Sequence, residues 1–189
     1  MYRIGAILFI IGSLQFILIG MLLSEILYPN YNPLINYISD LGVGKTAQIF
    51  NTSVIILGIL IIIGGIFIGL SYIKSIGRYV FSTLSTITGI GAIGVGIFPE
   101  TMPPHSLFAL VTFLVGGITI LYSVTFLKTR FRYFSLIMGL LSLFALILFL
   151  YKFNTPIGIG GMERLIVYPQ LIWAIIFGIY IFKEKSSIK

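Results

Sequence analysis

The chain has 189 residues, 58% hydrophobic and 9% charged, whereas soluble domains average about 45–50% apolar and about 25% charged, so a soluble globular domain is excluded and a membrane-embedded one indicated. The net charge of +7 comes from basic residues in short clusters between apolar runs, with no basic stripe of the kind that binds nucleic acid. With no cysteine, the chain can form no disulfide, Fe–S cluster or thiol nucleophile.

A helix needs about 20 mainly apolar residues to cross the hydrocarbon core. Such runs occur at approximately 4–27, 52–73, 79–98, 106–127, 133–151 and 165–182. Residues 1–189 therefore read as a single transmembrane domain, an all-α six-helix bundle. The first run is too long for a signal-peptide core and no small-residue cleavage site follows it, so it is expected to stay as a helix.

Between Pro29 and Asn51 lies a loop longer than the usual helix–helix connection of about 2–8 residues. Asn32 can cap a helix, Pro33 suits its first position and Gly42 can end it. Leu34, Ile38 and Leu41 would then share one face, and Asn36, Ser39 and Asp40 another. This predicts a short interfacial helix that presents Asp40 to water or to the bundle mouth.

The second and third spans are marked by small residues. Gly58, Gly65 and Gly69 form a stripe on the second, and Ser82, Ser85, Gly89, Ala92 and Gly96 recur at helical spacing on the third. Such faces let backbones approach closely in lipid; packing within one bundle is the simpler use, a homodimer seam the alternative. The third span also contains Gly89, Gly91 and Gly94 in the spacing G-x-G-x-x-G. A dinucleotide fingerprint needs a preceding strand and a later acid, and this stretch lies inside an apolar run with alanine at position 109, so no such cofactor is expected.

The next loop, Phe98-Pro-Glu-Thr-Met-Pro-Pro-His105, is stiffened by three prolines. It holds Glu100 and the chain's only histidine, which can act as acid or base or ligate a metal. The last loop runs from Lys152 through Gly158, Gly160 and Gly161 to Glu163 and Arg164, and enters the sixth span at Tyr168-Pro169. An acid and a base side by side can orient a phosphate, carboxylate or sugar, or can pair with loop partners such as Asp40; Arg164 offers a planar fork of donors suited to phosphate.

Of the 12 basic residues, Arg3, Lys74, Arg78, Lys128, Arg130, Arg132, Lys183, Lys185 and Lys189 fall on one side of the six spans, and Lys45, Lys152 and Arg164 on the other. The positive-inside rule makes the richer side, and both termini, cytoplasmic. Four of the five acids, Glu25, Asp40, Glu100 and Glu163, lie at the opposite face. Because acids contribute little to topology, their bias calls for another cause, and a polar site would supply one. The interiors of the spans look chemically featureless. Isoleucine richness and absent cysteine fit a thermophilic source.

Three stretches, Ile38-Ser-Asp-Leu-Gly42, Gly96-Ile-Phe-Pro-Glu100 followed by His105, and Gly160-Gly-Met-Glu-Arg-Leu-Ile-Val-Tyr-Pro169, resemble the six-span prokaryotic membrane family catalogued as domain of unknown function 998. The resemblance covers nearly the whole chain and implies a six-helix bundle; it carries over no catalytic assignment.

The first functional expectation is a cell-membrane protein that binds a lipid or small amphiphile at its outer face, through Asp40, Glu100, His105, Glu163, Arg164 and Tyr168 above a groove lined by the glycine-rich helices. The alternative is an interfacial hydrolase or transferase acting on lipid-linked substrates, with His105 as base and Asp40 or Glu163 orienting it. One histidine cannot build the usual catalytic zinc site, and the carboxylates Asp40, Glu100 and Glu163 show no local metal-binding spacing, so no metal or cofactor is expected. A transporter or an accessory subunit is the third reading, disfavoured by the lack of ionisable groups at mid-span.

Overall fold

The computed structural model describes residues 1–73, 76–127, 130–153 and 155–184. Among them six helices are long and apolar enough to cross a membrane: α1 (Tyr2–Leu27), α2 (Ala47–Tyr72), α3 (Gly77–Ile97), α4 (His105–Ser123), α5 (Phe131–Leu150) and α6 (Gly158–Lys183). No strand occurs among the described residues. The chain is thus a multi-pass, all-helical membrane protein.

Each helix packs against the next in chain order, and α6 closes the ring against α1 and also touches α4. An even number of spans returns both termini to one side. Tyr2 Oη there donates to the Glu184 carbonyl at 3.4 Å, and the Tyr72 hydroxyl reaches the Glu184 carboxylate. Arg3, Arg78, Arg130, Arg132 and Lys183 belong to this end; Lys74, Lys128, Lys185 and Lys189 lie outside the described residues.

The small-residue stripes zip α2 to α3 within the chain. A methyl on Gly65 would run into Ser85, one on Gly69 into Ser82, and one on Gly58 into the Gly89 carbonyl, so the backbones meet where side chains are missing. Gly91 and Gly94 press in turn against Thr112 and Phe108 of α4. The G-x-G-x-x-G spacing is therefore a packing feature on two faces of one helix. Where the two stripes meet, α2 and α3 are in direct contact, so the stripes themselves serve packing.

The spans are less featureless inside than their hydropathy suggests. Gln15 of α1 donates to the Ser53 carbonyl at 2.9 Å and accepts from Ser53 Oγ at 2.6 Å, while Gln170 of α6 donates to the Phe113 carbonyl and to Ser142 Oγ, both at 2.8 Å. Pro169 removes one rung from α6, and Ser142 Oγ donates to the neighbouring Ile166 carbonyl at 2.9 Å. Just beyond Gln15, α1 widens into a π-helical stretch, Phe16–Leu23, before returning to α-helix at Ser24–Leu27. Toward the termini the interior is filled by aromatic rings: Phe81, Phe126 and Phe177 sit 5.4–6.5 Å apart, and Trp173 stacks on Phe177 at 4.5 Å.

Two segments at the opposite end differ from expectation. No α-helix forms over residues 33–41; turns lead instead into the 3-10 segments Ser39–Gly42 and Gly44–Thr46. Short side-chain bonds outcompete the helix here: Asn32 Oδ1 accepts from the Leu34 amide, Asn36 Oδ1 from the Asn32 amide, and Asp40 Oδ2 from the Tyr37 amide, each at 3.0 Å. Ile38 and Leu41 are buried as the amphipathic pattern requires, but Leu34 is exposed. The sixth helix also begins at Gly158 rather than near Leu165, so the glycine-rich stretch and Glu163-Arg164 are helical.

Candidate functional site

The end of the bundle opposite the termini, its outer end if the termini are cytoplasmic, is organised by contact between the first loop and the start of α6. The Gly160 amide donates to the Leu34 carbonyl at 3.1 Å, and a methyl on Gly160 would collide with the Pro33 and Asn36 carbonyls. Gly158 has φ +67° and lies against Leu34. Glycine is required at both positions, for a left-handed backbone at one and for close approach at the other.

Glu163 and Arg164 grip this loop from two sides, because successive helix residues point about 100° apart. Glu163 Oε2 accepts from the Ile38 amide at 2.5 Å. Arg164 Nη1 donates to the carbonyls of Pro33 (2.9 Å), Asn36 (3.2 Å) and Gly160 (3.0 Å). Its Nη2 donates to Glu25 Oε1 at 2.7 Å and to Tyr31 Oη at 2.6 Å. The acid takes a loop N–H and the base takes loop carbonyls, which satisfies backbone groups that the irregular segment leaves unpaired. Tyr31 hands the network on by donating to the Tyr37 carbonyl at 2.8 Å, and burial pushes its phenol up to about 12, so it stays protonated.

On the Glu163 side lies a cleft of about 350 Å³ between the outer ends of α4 and α5. Its apolar wall includes Leu110, Phe113, Leu146, Phe149 and Leu150; its polar wall has Tyr37, Ser39, Glu100, His105 and Glu163, with Lys152 at the rim. Tyr37 meets Phe149 edge-on at 5.9 Å. Burial, then the charges of Glu100, Glu163 and Asp40, raise the Tyr37 phenol above its ordinary range and keep it a donor. Glu100 is pushed up to about 8 by burial and by the Asp40 carboxyl hydrogen-bonded to it, so near neutral pH Glu100 holds its proton. Asp40 stands behind Glu100 and also accepts from Asn36 Nδ2 at 2.8 Å.

His105 is the first residue of α4 and only 6% exposed. Its Nδ1 lies 2.7 Å from the Phe98 carbonyl. A carbonyl only accepts, so Nδ1 carries the proton, and in the neutral ring Nε2 is left as an acceptor. The proline-braced turn holds this geometry through the Met102 amide on the Pro99 carbonyl at 2.8 Å and through Phe98 and Phe108, whose rings stack at 5.3 Å.

The cleft continues inward. Ser39, His105, Ala109, Phe113 and Glu163 also line an inner chamber of about 90 Å³, bounded deeper by Ser13, Thr88, Thr112 and Gln170. Thr88 and Gln170 in turn border a smaller pocket of about 40 Å³ that ends on Trp173 and Ile120. The result is a well that opens at the outer end and stops at the aromatic layer.

Of the residues singled out in the sequence, Glu100, His105 and Glu163 line the cleft and Asp40 backs it. Arg164 is turned to the far side of the loop, with both terminal nitrogens occupied, and Tyr168 lies exposed on the outer surface of α6, apart from both cavities. Among the described residues no group of three or more histidine, aspartate or glutamate side chains is placed to hold a metal ion.

A family profile described as "Protein of unknown function (DUF998)" matches residues 10–180. The chain belongs to the DUF998 family. No curated protein and no solved structure matches it. The matched span takes in α2 to α5 whole, most of α1 and α6 and the three loops opposite the termini, so the cleft lies within the DUF998 unit. The resemblance seen in the three loop stretches is thereby established, while the family description leaves the activity open.

Tyr37, Ser39 and Phe113 were not foreseen as site residues. Ser39 stands inside the Ile38–Gly42 stretch, so its signal was present; Tyr37 and Phe113 had none beyond being aromatic.

Proposed function

We propose that this DUF998 protein binds a lipid or other single-headed amphiphile in the cleft between α4 and α5, with the headgroup against His105 and Glu163 and the chain along Phe113 and Phe149. The observation that carries this reading is the cleft's two-sided wall, apolar side chains of α4 and α5 on one side and Tyr37, Ser39, Glu100, His105 and Glu163 on the other, the form that recognises an amphiphile. The bias of positive charge supports placing the termini in the cytoplasm and the cleft at the outer surface of the cell membrane. Binding of a fluorescent monoacyl amphiphile to the purified protein tests it. Ala109→Trp, which fills the junction of cleft and chamber, is expected to abolish saturable binding; unchanged affinity in that variant would remove the cleft from consideration.

A second reading, an interfacial hydrolase or transferase, is favoured by one observation, the fixed tautomer of His105. A buried imidazole with Nδ1 tied to a carbonyl presents Nε2 as a general base, a role worth about 10²–10⁴-fold in rate. Turnover of ester- or amide-linked amphiphiles that disappears in His105→Ala supports this reading, and turnover untouched by that change would end it.

A further inference from the structure

We propose that the cleft selects a headgroup that donates hydrogen bonds and carries no phosphate, an amine or a hydroxyl, in preference to a phosphorylated one. This rests on the amphiphile reading above. Beside the hydroxyls of Tyr37 and Ser39, the polar wall offers the acceptors Glu163 and, in the neutral ring, His105 Nε2, with the Glu100–Asp40 pair next to them. The outer-face arginine, which by chemistry would have made this a phosphate site, is unavailable. Arg164 is held on the opposite side of the first loop by the Pro33, Asn36 and Gly160 carbonyls, Glu25 and Tyr31, at 2.6–3.2 Å. Lys152, at the exposed rim, is the one basic side chain that lines the cleft.

Two further observations ask for a polar ligand. His105 is 6% exposed yet borders both cleft and chamber, with Nδ1 committed to the Phe98 carbonyl and Nε2 left to accept in the neutral ring. Ser13 Oγ is fully buried, has no hydrogen-bond partner and lines the chamber that opens from the cleft. Buried polar groups left without partners are rare and costly, and a chamber of about 90 Å³ has room for a water or a ligand hydroxyl to satisfy this one. A phosphate headgroup would bring like charge against the buried Glu163 and the Asp40–Glu100 pair, a juxtaposition that is unfavourable.

The test uses three photoreactive probes with one acyl chain and different heads, a primary amine, a glycerol and a phosphate monoester, added to the full chain in phosphatidylcholine nanodiscs. Labelling of the peptides that carry Leu110, Phe113 and Phe149 is the readout. The amine or the glycerol probe is expected to label them at least about tenfold more than the phosphate probe. If the amine exceeds the glycerol, charge dominates; the reverse order assigns the preference to hydroxyl donation, and either order supports the proposal. Equal or stronger labelling by the phosphate probe overturns it while leaving the amphiphile reading intact. Failure of all three to label the cleft, with labelling elsewhere on the bundle, defeats the amphiphile reading and this inference together.

Discussion

Arg164 and Glu25 form a 2.7 Å ion pair that joins the start of the sixth helix to the end of the first. The same guanidinium holds the first loop by two carbonyls, those of Pro33 and Asn36. The pair therefore fixes the roof of the cleft without lining it. Removing one partner of a buried pair typically costs about 3–5 kcal/mol. Arg164→Ala is expected to fall near the lower end of that range, because Glu25 retains partial exposure, and Arg164→Lys to recover little, since a single ammonium cannot replace the planar fork. Thermal unfolding in detergent checks both; a stability within experimental error of wild type for Arg164→Lys would show that the fork geometry is unimportant.

Gly160→Ala places a methyl against the Pro33 and Asn36 carbonyls. Overpacking of this kind costs about 1–3 kcal/mol, and displacement of the first loop should also loosen Ser39 and Tyr37 in the cleft. Gly44→Ala provides the comparison: φ is +74° there with open space around it, so only the left-handed backbone is penalised, by about 1 kcal/mol. Amphiphile binding should weaken in the first variant and persist in the second.

The Asp40–Glu100 contact links two loops and depends on the Glu100 proton. The folded Glu100 carboxyl, at about 8, lies above its ordinary value of 4.5. Its contribution to stability is therefore complete below pH 4.5 and declines as pH rises through about 8. Melting temperature measured from pH 5 to pH 9 should fall across that window in wild type and change less in Glu100→Gln, which donates a hydrogen bond to Asp40 at every pH. Identical pH profiles for the two proteins would contradict the raised Glu100 value.

Gln170→Leu removes two interhelical hydrogen bonds within the membrane. Such bonds average about 0.6 kcal/mol each in lipid, so a loss of about 1 kcal/mol is expected in unfolding measurements, and a gain in stability would place the value of Gln170 elsewhere.

The apolar runs made the six helices legible, since nothing but membrane burial explains their length and composition. The loop stretches also marked where polar chemistry would gather. Contacts across long separations were not legible: Glu163 meets Ile38 and Arg164 meets Glu25 only once the ring of helices closes. Glu25 was recognised as an outer-end acid, yet nothing local tied it to Arg164. Gln15 and Gln170 were visible as amides within apolar runs, a signal that hydropathy averaging hides. The small-residue faces read correctly as close-packing surfaces. The cleft lies between α4 and α5, lined by bulky side chains such as Phe113 and Phe149. The π-helical stretch in α1 left no mark in a run of ordinary apolar residues.

The absence of cysteine from the natural chain makes single-cysteine labelling a direct test of the central claim, that an amphiphile occupies the α4–α5 cleft beneath the first loop. Ser106→Cys lines the cleft, whereas Thr101→Cys lies exposed on the neighbouring turn outside it. With a water-soluble maleimide and a saturating long-chain amphiphile, labelling at position 106 should slow severalfold while labelling at position 101 stays unchanged. Equal rates at position 106 with and without the amphiphile would contradict the account.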